Sequence, residues 1–241
     1  MMQALYSRSS ASVAEHVDQV KKTGSGKFME KFYVGYGHAS IADCGSTTIF
    51  IEGVSMLVAK AIQDWPLYSG QETSSRYIDM SQQVIVDPVG TALSRTVLDS
   101  WMAFYTNSQT AVQEHLRIKY PKRADEDEGV YDRAIKARTF DILRGFLPAG
   151  VTTQLSWHTN LRQAYDKLAL LHHWPLPEVR AVANGIHNLL RERYGHSFSH
   201  KLYDDQEKYR QLIGGKHTYF INKKYPGDFR ATTNIRYHDL L

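Results

Sequence analysis

The hydrophobic pattern of residues 46–66 changes period within a few residues, and this change limits the folds that are open to the chain. Residues 46–52 read STTIFIE, a β-branched run that is typical of a strand. Ser55 can cap the apolar run that follows, which predicts a helix through Ile62. The helix must end before Pro66, because a proline pushes the preceding residue out of the α region. A fold with both strands and helices is therefore expected.

Hydrophobic periodicity predicts the other elements. Ser12 and Glu15 form a capping box for a helix that stops in the turn at 23–26. The other predicted helices cover residues 27–32, 91–120, 131–145, 160–171 and 177–193, and a second strand covers residues 152–159. Apolar residues recur at three- and four-residue steps along 91–120, which predicts that this face packs in the core. We expect an α/β (α+β) fold with one domain over residues 1–241, in which helices flank a central mixed sheet.

Composition excludes several classes of protein. The chain has 241 residues, 42% of them hydrophobic, which is enough for a large core. Its formal charge of +4 falls short of the basic stripe of a nucleic-acid binder. Cys44 is the only cysteine, so no intramolecular disulfide is expected, and a reducing cytoplasmic location fits. The N-terminus lacks a signal-peptide core and no apolar run reaches membrane-spanning length, so we expect no membrane partner.

The segment at 69–77, SGQETSSRY, is dense in groups that bind anions. Ser74 and Ser75 carry hydroxyls, and the Arg76 guanidinium offers five donors. For such a segment alone, a solvated loop is the commoner interpretation.

The order of these features changes that interpretation. The pair Gly37–His38, the strand and helix, and QETSSRY at 71–77 together resemble the flavin-dependent thymidylate synthases, of the thymidylate synthase-complementing-protein type. Residues 157–162, WHTNLR, resemble the Trp-x-x-Asn-x-Arg of that family, and Arg144 precedes Leu-Pro as an arginine does there. The likeness is strongest over residues 38–180, with 195–241 as a C-terminal extension. One element is absent, because Asp64, Trp65 and Pro66 hold the positions of the family's Arg-His-Arg.

The resemblance implies a set of site residues. It assigns Glu72, Ser74, Arg76 and Arg144 to the nucleotide, with Ser74 and Arg76 as catalytic positions, and His38, Trp65, Asn160, Arg162 and Asp166 to the flavin. Asn160 also suits the cap of the following helix. Asp166 stands where the family has an asparagine, and Leu171 where it has the arginine that reads the pyrimidine.

The altered positions change the charge of the expected site. The replacement of Arg-His-Arg takes about three units of positive charge from the cleft, which weakens the binding of an anionic cofactor. Trp65 can compensate in part by stacking on a ring. No metal is expected, since the adjacent His172 and His173 point in different directions on a helix and no third ligand is placed.

The resemblance implies a homotetramer that uses FAD, with a folate methylene donor and NADPH, to methylate C5 of a pyrimidine nucleoside monophosphate. The substrate would be dUMP, UMP or an altered nucleotide. Two alternatives stay open. The first is a catalytically inactive nucleotide-binding relative or the regulatory half of a duplicated thymidylate synthase. The second is a protein that shares only the fold and hosts other chemistry.

Overall fold

The computed structural model describes residues 2–24, 39–198 and 203–222. The predicted helix at 27–32 and the Gly37–His38 pair lie outside these residues. The helices are α1 (Met2–Tyr6), α2 (Val13–Thr23), α3 (Met56–Gln63), α4 (Ala92–Asn107), α5 (Gln109–Lys119), α6 (Glu128–Leu143), α7 (Leu161–Leu171), α8 (Pro177–Tyr194) and α9 (Asp204–Asn222). Short 3-10 turns cover Ala39–Cys44, Arg144–Phe146 and Gly195–Phe198. The strands are β1 (Ser46–Ser55), β2 (Ser69–Glu72) and β3 (Thr152–Asn160).

The predicted strand and helix at the start of the site are confirmed. β1 leads directly into α3, and the Ser55 hydroxyl caps α3 by accepting a hydrogen bond from the Val58 amide at 3.2 Å. The register of β1 slips between Ile51 and Val54, where Gly53 has a φ of +66°. A glycine with positive φ suits such a bulge, because it lacks the Cβ that penalises this conformation.

The α/β class is confirmed, with a small sheet packed against helices. The strand order is β1-β3-β2, and every pair among the described strands is antiparallel, where a mixed sheet was expected. The first four residues of the segment at 69–77 form β2, which differs from the solvated loop that such a segment alone would suggest. Ser69 pairs with His158 and Glu72 with Leu155, so this polar edge strand is held by its hydrogen-bond ladder to β3.

The main core lies between one face of the sheet and helices α3, α7 and α8. β3 alternates along its length, so that Leu155 and Trp157 are buried and Gln154 and His158 are exposed. The other face of the sheet is open, and Phe50 on it is 76% exposed.

A partly buried carboxylate ties α8 to the junction of β1 and α3. Glu178 accepts hydrogen bonds from the Ser55 amide at 2.9 Å and from the Ser55 hydroxyl at 2.6 Å. Ser55 is fully buried, so these bonds satisfy polar groups that would otherwise be costly to bury.

The region 91–120 differs from the prediction in two ways. It forms two helices, α4 and α5, that meet at Ser108 instead of one. The predicted core face is also largely exposed, with Leu93, Val97, Trp101 and Phe104 between 46% and 75% exposed. Leu98, Met102 and Tyr105 pack inward instead. Periodicity identifies an apolar face but does not say what covers it.

None of the helices that the structure describes combines the length and the apolar character needed to cross a bilayer.

Candidate functional site

Two arginines from distant segments meet at one carboxylate. Arg76 lies in the turn after β2, and Arg144 follows the last residue of α6. The Arg76 Nε is 3.1 Å from Oδ1 of Asp141, and the Arg144 Nη2 is 2.7 Å from the same oxygen. The hydrogen bond with Asp141 and the negative charge of that carboxylate raise the pKa of Arg76. We call these three residues the arginine cluster.

The arginine cluster is suited to an anion. Two guanidiniums against one carboxylate leave a formal charge of +1, and the Arg76 and Arg144 side chains are 47% and 42% exposed. Each planar fork carries five N–H donors, and the contact with Asp141 uses one nitrogen of each fork. Solvent-exposed ion pairs contribute only about 0 to 1 kcal/mol. An oxyanion can therefore compete with Asp141 for both forks.

The turn before Arg76 starts at Ser74. The Ser74 carbonyl accepts hydrogen bonds from the amides of Tyr77 and Ile78, both at 3.1 Å. Glu72 is committed elsewhere, because its Oε2 accepts a hydrogen bond from the Gln63 amide at 2.6 Å. The structure thus brings Arg76 and Arg144 together and ties Glu72 to α3.

A second group of predicted residues gathers at the start of α7. The Asn160 Oδ1 accepts a hydrogen bond from the Gln163 amide at 2.9 Å, so Asn160 is the cap. Arg162 forms a bidentate pair with Asp43, with nitrogen–oxygen distances of 2.8 and 2.7 Å. Asp166 lies one helical turn further on, on the face of Arg162. Burial raises the pKa of the Asp166 carboxyl, against the opposing effect of Arg210 and Arg162.

Trp65 lies beside a buried lysine that the sequence analysis did not identify. The Lys167 Nζ is 5.6 Å from the ring centroid of Trp65 and 6.0 Å from that of Trp174. The same Nζ donates a hydrogen bond to the Asp64 carbonyl at 2.8 Å, and Lys167 is only 3% exposed.

The lysine is placed where a cation is favoured. Asp64 is the C-cap of α3, so the ammonium group of Lys167 meets the carbonyl end of that helix. Burial lowers the pKa of Lys167 to about 8, against the attraction of Asp64. A cation from α7 therefore lies against the segment that lacks the family's Arg-His-Arg.

Three residues that the sequence did not single out pair with the predicted site residues. They differ in how far a sequence pattern could have indicated them. Asp141 stands three residues before Arg144, a spacing that pairs opposite charges on a helix. Asp43 has no such signal, since 119 positions separate it from Arg162. Lys167 stands between Ala164 and Leu168 in the apolar face of α7, where a buried cation is unexpected.

The histidines at the end of α7 form pairs with other groups. His172 packs edge-on against His187, with ring centroids 5.5 Å apart, and the His173 Nε2 lies 2.7 Å from the Glu207 carboxylate. Within residues 2–24, 39–198 and 203–222, no three His, Cys, Asp or Glu side chains are grouped as metal ligands.

Fold and site together define an α/β protein with a small antiparallel sheet and an arginine cluster suited to an oxyanion. The family model described as thymidylate synthase complementing protein matches residues 1–194. The chain belongs to this family, which confirms the resemblance seen in its motifs.

Two individual relatives match about two thirds of this chain at modest sequence identity. A UPF0159 protein of Chlamydia muridarum (strain MoPn / Nigg) is 32% identical over 167 residues, covering 64% of this chain and 32% of the relative. A UPF0159 protein of Chlamydia pneumoniae is 25% identical over 169 residues, covering 65% and 32%. The chain thus spans about a third of the length of the curated relatives it matches.

Solved structures of ThyX from Helicobacter pylori are also similar. One, thymidylate synthase X with FAD and dUMP, is 14% identical with a TM-score of 0.47, covering 82% of this chain and 90% of its own. Another, flavin-dependent thymidylate synthase ThyX complexed with FAD and dUMP, is 13% identical with a TM-score of 0.46, covering 76% and 87%.

The burial of Lys167 predicts a pH dependence of stability. The folded pKa of about 8 lies below the unfolded value of 10.5. Between these values the unfolded chain binds a proton that the folded chain does not, so the free energy of unfolding rises with pH. The rise from this residue is roughly 3 kcal/mol. Urea unfolding at intervals from about pH 7.5 to 10.5 should show the rise relative to Lys167→Met.

Lys60→Met is the matched control, because Lys60 is exposed on α3. It should keep the pH dependence of the unmodified protein. Identical pH profiles for Lys167→Met and the unmodified protein would contradict the assignment.

Proposed function

We propose that the chain catalyses flavin-dependent C5 methylation of a pyrimidine nucleoside monophosphate. The observation that carries the proposal is the arginine cluster, in which Arg76 and Arg144 share the Asp141 carboxylate. A phosphate group offers several oxygens to the two guanidinium forks, and bidentate arginine pairs are among the strongest phosphate contacts. Membership of the thymidylate synthase complementing protein family supports a nucleotide as the bearer of that phosphate.

Ser74 completes the proposed phosphate site. It stands two residues before Arg76, is exposed, and lies in the turn that positions the guanidinium. A hydroxyl can donate to a phosphate oxygen beside the arginine forks. We assign Ser74 and Arg76 to the reacting nucleotide and Glu72 to the positioning of this turn, since its carboxylate is bound to Gln63.

The proposed cofactor is FAD, and the residues at the start of α7 fit a hydrogen-bonding heterocycle. The Arg162 side chain is 41% exposed although Asp43 holds it, and the cap uses the side-chain oxygen of Asn160 and not its side-chain nitrogen. Asp166, with a raised pKa, can donate once protonated. FAD, when bound, would supply the hydride that completes the methyl group. His38 stays a predicted flavin residue outside the described residues, and a folate donor and NADPH belong to this proposal as co-reactants.

The segment at 64–66 gives this site less positive charge than the family's Arg-His-Arg would. Trp65 stays a predicted stacking partner for the flavin, and Lys167 returns one cation close to it. Leu171, at the position of the family's pyrimidine-reading arginine, is 1% exposed and packs in the core. A different residue must then recognise the base, so a substrate other than dUMP is compatible with the proposal.

A second candidate is a catalytically inactive nucleotide-binding relative or the regulatory half of a longer synthase. The length comparison favours it, because the matched region covers 32% of each curated relative. Both candidates need the arginine cluster, and only the methylase needs FAD.

We also propose a homo-oligomer, most simply the tetramer that the resemblance implies. Arg144 precedes β3 and Asn160 ends it, and the eight residue steps from Thr152 to Asn160 span roughly 26 Å at about 3.3 Å per residue. No hydrogen bond or ion pair among the described residues joins the two groups. Nucleotide and flavin can meet more readily if one copy supplies the arginine cluster and another supplies Arg162. A single domain over 1–241 and a cytoplasmic location stay predictions.

The arginine cluster predicts that phosphate governs ligand affinity. Arg76→Ala or Arg144→Ala should weaken dUMP or UMP binding by roughly 1.5 to 3 kcal/mol, because each loses charged hydrogen bonds. Arg95→Ala is the matched control, since Arg95 pairs with Asp99 on the surface of α4. Calorimetry with each nucleotide and its nucleoside measures the effect. Equal affinity of nucleoside and nucleotide for the unmodified protein would refute the phosphate assignment.

Cofactor binding separates the two candidate functions. Anaerobic titration of the apoprotein with FAD should give saturable quenching of flavin fluorescence, weakened about tenfold or more in Arg162→Met by the lost charged hydrogen bonds. Arg193→Met, an exposed change on α8, should bind FAD as the unmodified protein does. Without saturable quenching in the unmodified protein, the methylase proposal fails and the nucleotide-binding relative remains.

The exposed apolar face of α4 predicts where copies associate. Trp101, Phe104 and Phe146 form one aromatic group with ring centroids 5.0 to 6.2 Å apart, and each is 41 to 47% exposed. A large exposed apolar patch of this kind marks association surfaces. Trp101→Lys should lower the sedimentation coefficient toward that of a monomer. Leu189→Lys, at an isolated exposed leucine on α8, should not. A monomeric unmodified protein at micromolar concentration would overturn the oligomer.

A further inference from the structure

A large cleft continues from the arginine cluster along α5 and α6. Its volume is about 970 Å³, which is enough for a nucleotide. Its charged walls are formed by Arg76, Lys119, Arg123, Arg138, Glu126 and Asp141. Four cations against two carboxylates give a formal charge of +2, with Arg144 close by. The positive charge therefore extends beyond the arginine cluster.

Tyr120 holds two of these cations over the cleft. The Arg138 guanidinium carbon is 4.3 Å from the centroid of the Tyr120 ring, and its Nη2 donates to the Tyr120 hydroxyl at 2.9 Å. The Lys119 Nζ is 5.7 Å from the same centroid. The Tyr120 backbone is fixed in turn, because its carbonyl accepts a hydrogen bond from the Tyr131 hydroxyl at 2.8 Å.

Among the residues that the structure describes, these two cations lack the carboxylate partner that other cations have. Neither Lys119 nor Arg138 forms an ion pair with any residue that the structure describes, whereas Arg117 on the same helix as Lys119 pairs with Asp132 at 2.9 Å. Like charges held around one ring repel each other, and an anion between them would relieve that repulsion. The arrangement favours an anionic ligand over a purely structural role.

The spacing of residues along α6 relates the cations at Tyr120, Lys119 and Arg138, to the arginine cluster. Arg138 and Asp141 are three residues apart and share a face, which places them roughly 4.5 Å apart along the helix axis. A ligand whose phosphate occupies the arginine cluster would reach Arg138 with a group attached directly to that phosphate. The next phosphate of a diphosphate is such a group.

We propose that this cleft binds a pyrophosphate-bearing nucleotide, with one phosphate on Arg76 and Arg144 and the next on Arg138 and Lys119. This rests on the proposed nucleotide site and adds a nucleoside diphosphate, as a more tightly bound ligand, to the monophosphate substrate proposed above. A nucleotide of this kind bridges the arginine cluster and the Tyr120 cations in a single ligand. A nucleoside monophosphate would occupy only the arginine cluster.

Calorimetry with dUMP, dUDP and inorganic pyrophosphate tests the proposal on the full-length protein. The unmodified protein should bind dUDP at least tenfold more tightly than dUMP. Lys119→Met and Arg138→Met should each bring dUDP toward the affinity of dUMP and leave dUMP within twofold. Arg133→Met removes the same charge from α6 outside the cleft and should change neither affinity. Thermal melts establish that each variant is folded, and Arg138→Lys should retain part of the preference.

The outcomes are distinct. Equal affinities for dUMP and dUDP overturn the diphosphate site and leave the proposed monophosphate site standing. Equal affinities for dUDP and inorganic pyrophosphate show that no nucleoside is recognised, and this also overturns the proposal. A dUDP preference that depends on Arg138 and Lys119, in a protein that does not bind FAD, supports the diphosphate site and removes the methylase. If the protein binds neither dUMP nor dUDP, both the diphosphate site and the monophosphate site are refuted.

Discussion

The central position of β3 in the sheet determines where the arginine cluster and the Arg162 group lie. β3 pairs with β1 on one side and β2 on the other, and Trp157 anchors its inner face in the core. Because β2 is only four residues long, its pairing with β3 decides where the turn that carries Arg76 emerges. The start of β3 follows Arg144, and its end becomes the cap of α7. One strand therefore fixes the arginine cluster near one end and the Arg162 group at the other, as far apart as nine extended residues require.

Charge in this protein is balanced by residues that are remote in the sequence. Asp141 neutralises half of the arginine cluster, Asp43 holds Arg162, and Lys167 meets the end of α3 beside Trp65. The arginine cluster keeps a formal charge of +1, whereas Asp43 balances Arg162 one to one and orients a side chain that stays 41% exposed. The loss of the family's Arg-His-Arg is thus partly offset by a lysine from a different helix. A buried lysine with a pKa of about 8 is costly to stability, and this cost is tolerated at a proposed ligand site.

Local sequence patterns predicted local structure well. The Ser12 capping box, the Ser55 cap and the change from strand to helix period each depend on neighbouring residues, and the structure confirms them. β2 was missed because four polar residues on an edge strand carry no apolar alternation. The face of α4 was assigned to the core because the period of an apolar stripe is the same whether another copy or the same chain covers it. The proximity of Arg76 to Arg144 could not be derived from spacing, since it depends on the register of β3 with β2. Only the family resemblance placed both arginines at one ligand before the structure showed their shared carboxylate.

In the proposed site, Leu171 separates recognition of phosphate from recognition of the base. An arginine at this position would have to leave the core to reach a ligand, whereas the leucine packs with the interior of α7 and contributes to its stability. The arginine cluster lies on other elements and does not depend on that change. Arginine forks bind phosphate oxygens without reference to the attached base. In the proposed function, a chain that keeps the cluster and buries Leu171 would retain affinity for the charged end of a nucleotide, and its choice among bases would come from residues that the family pattern does not mark.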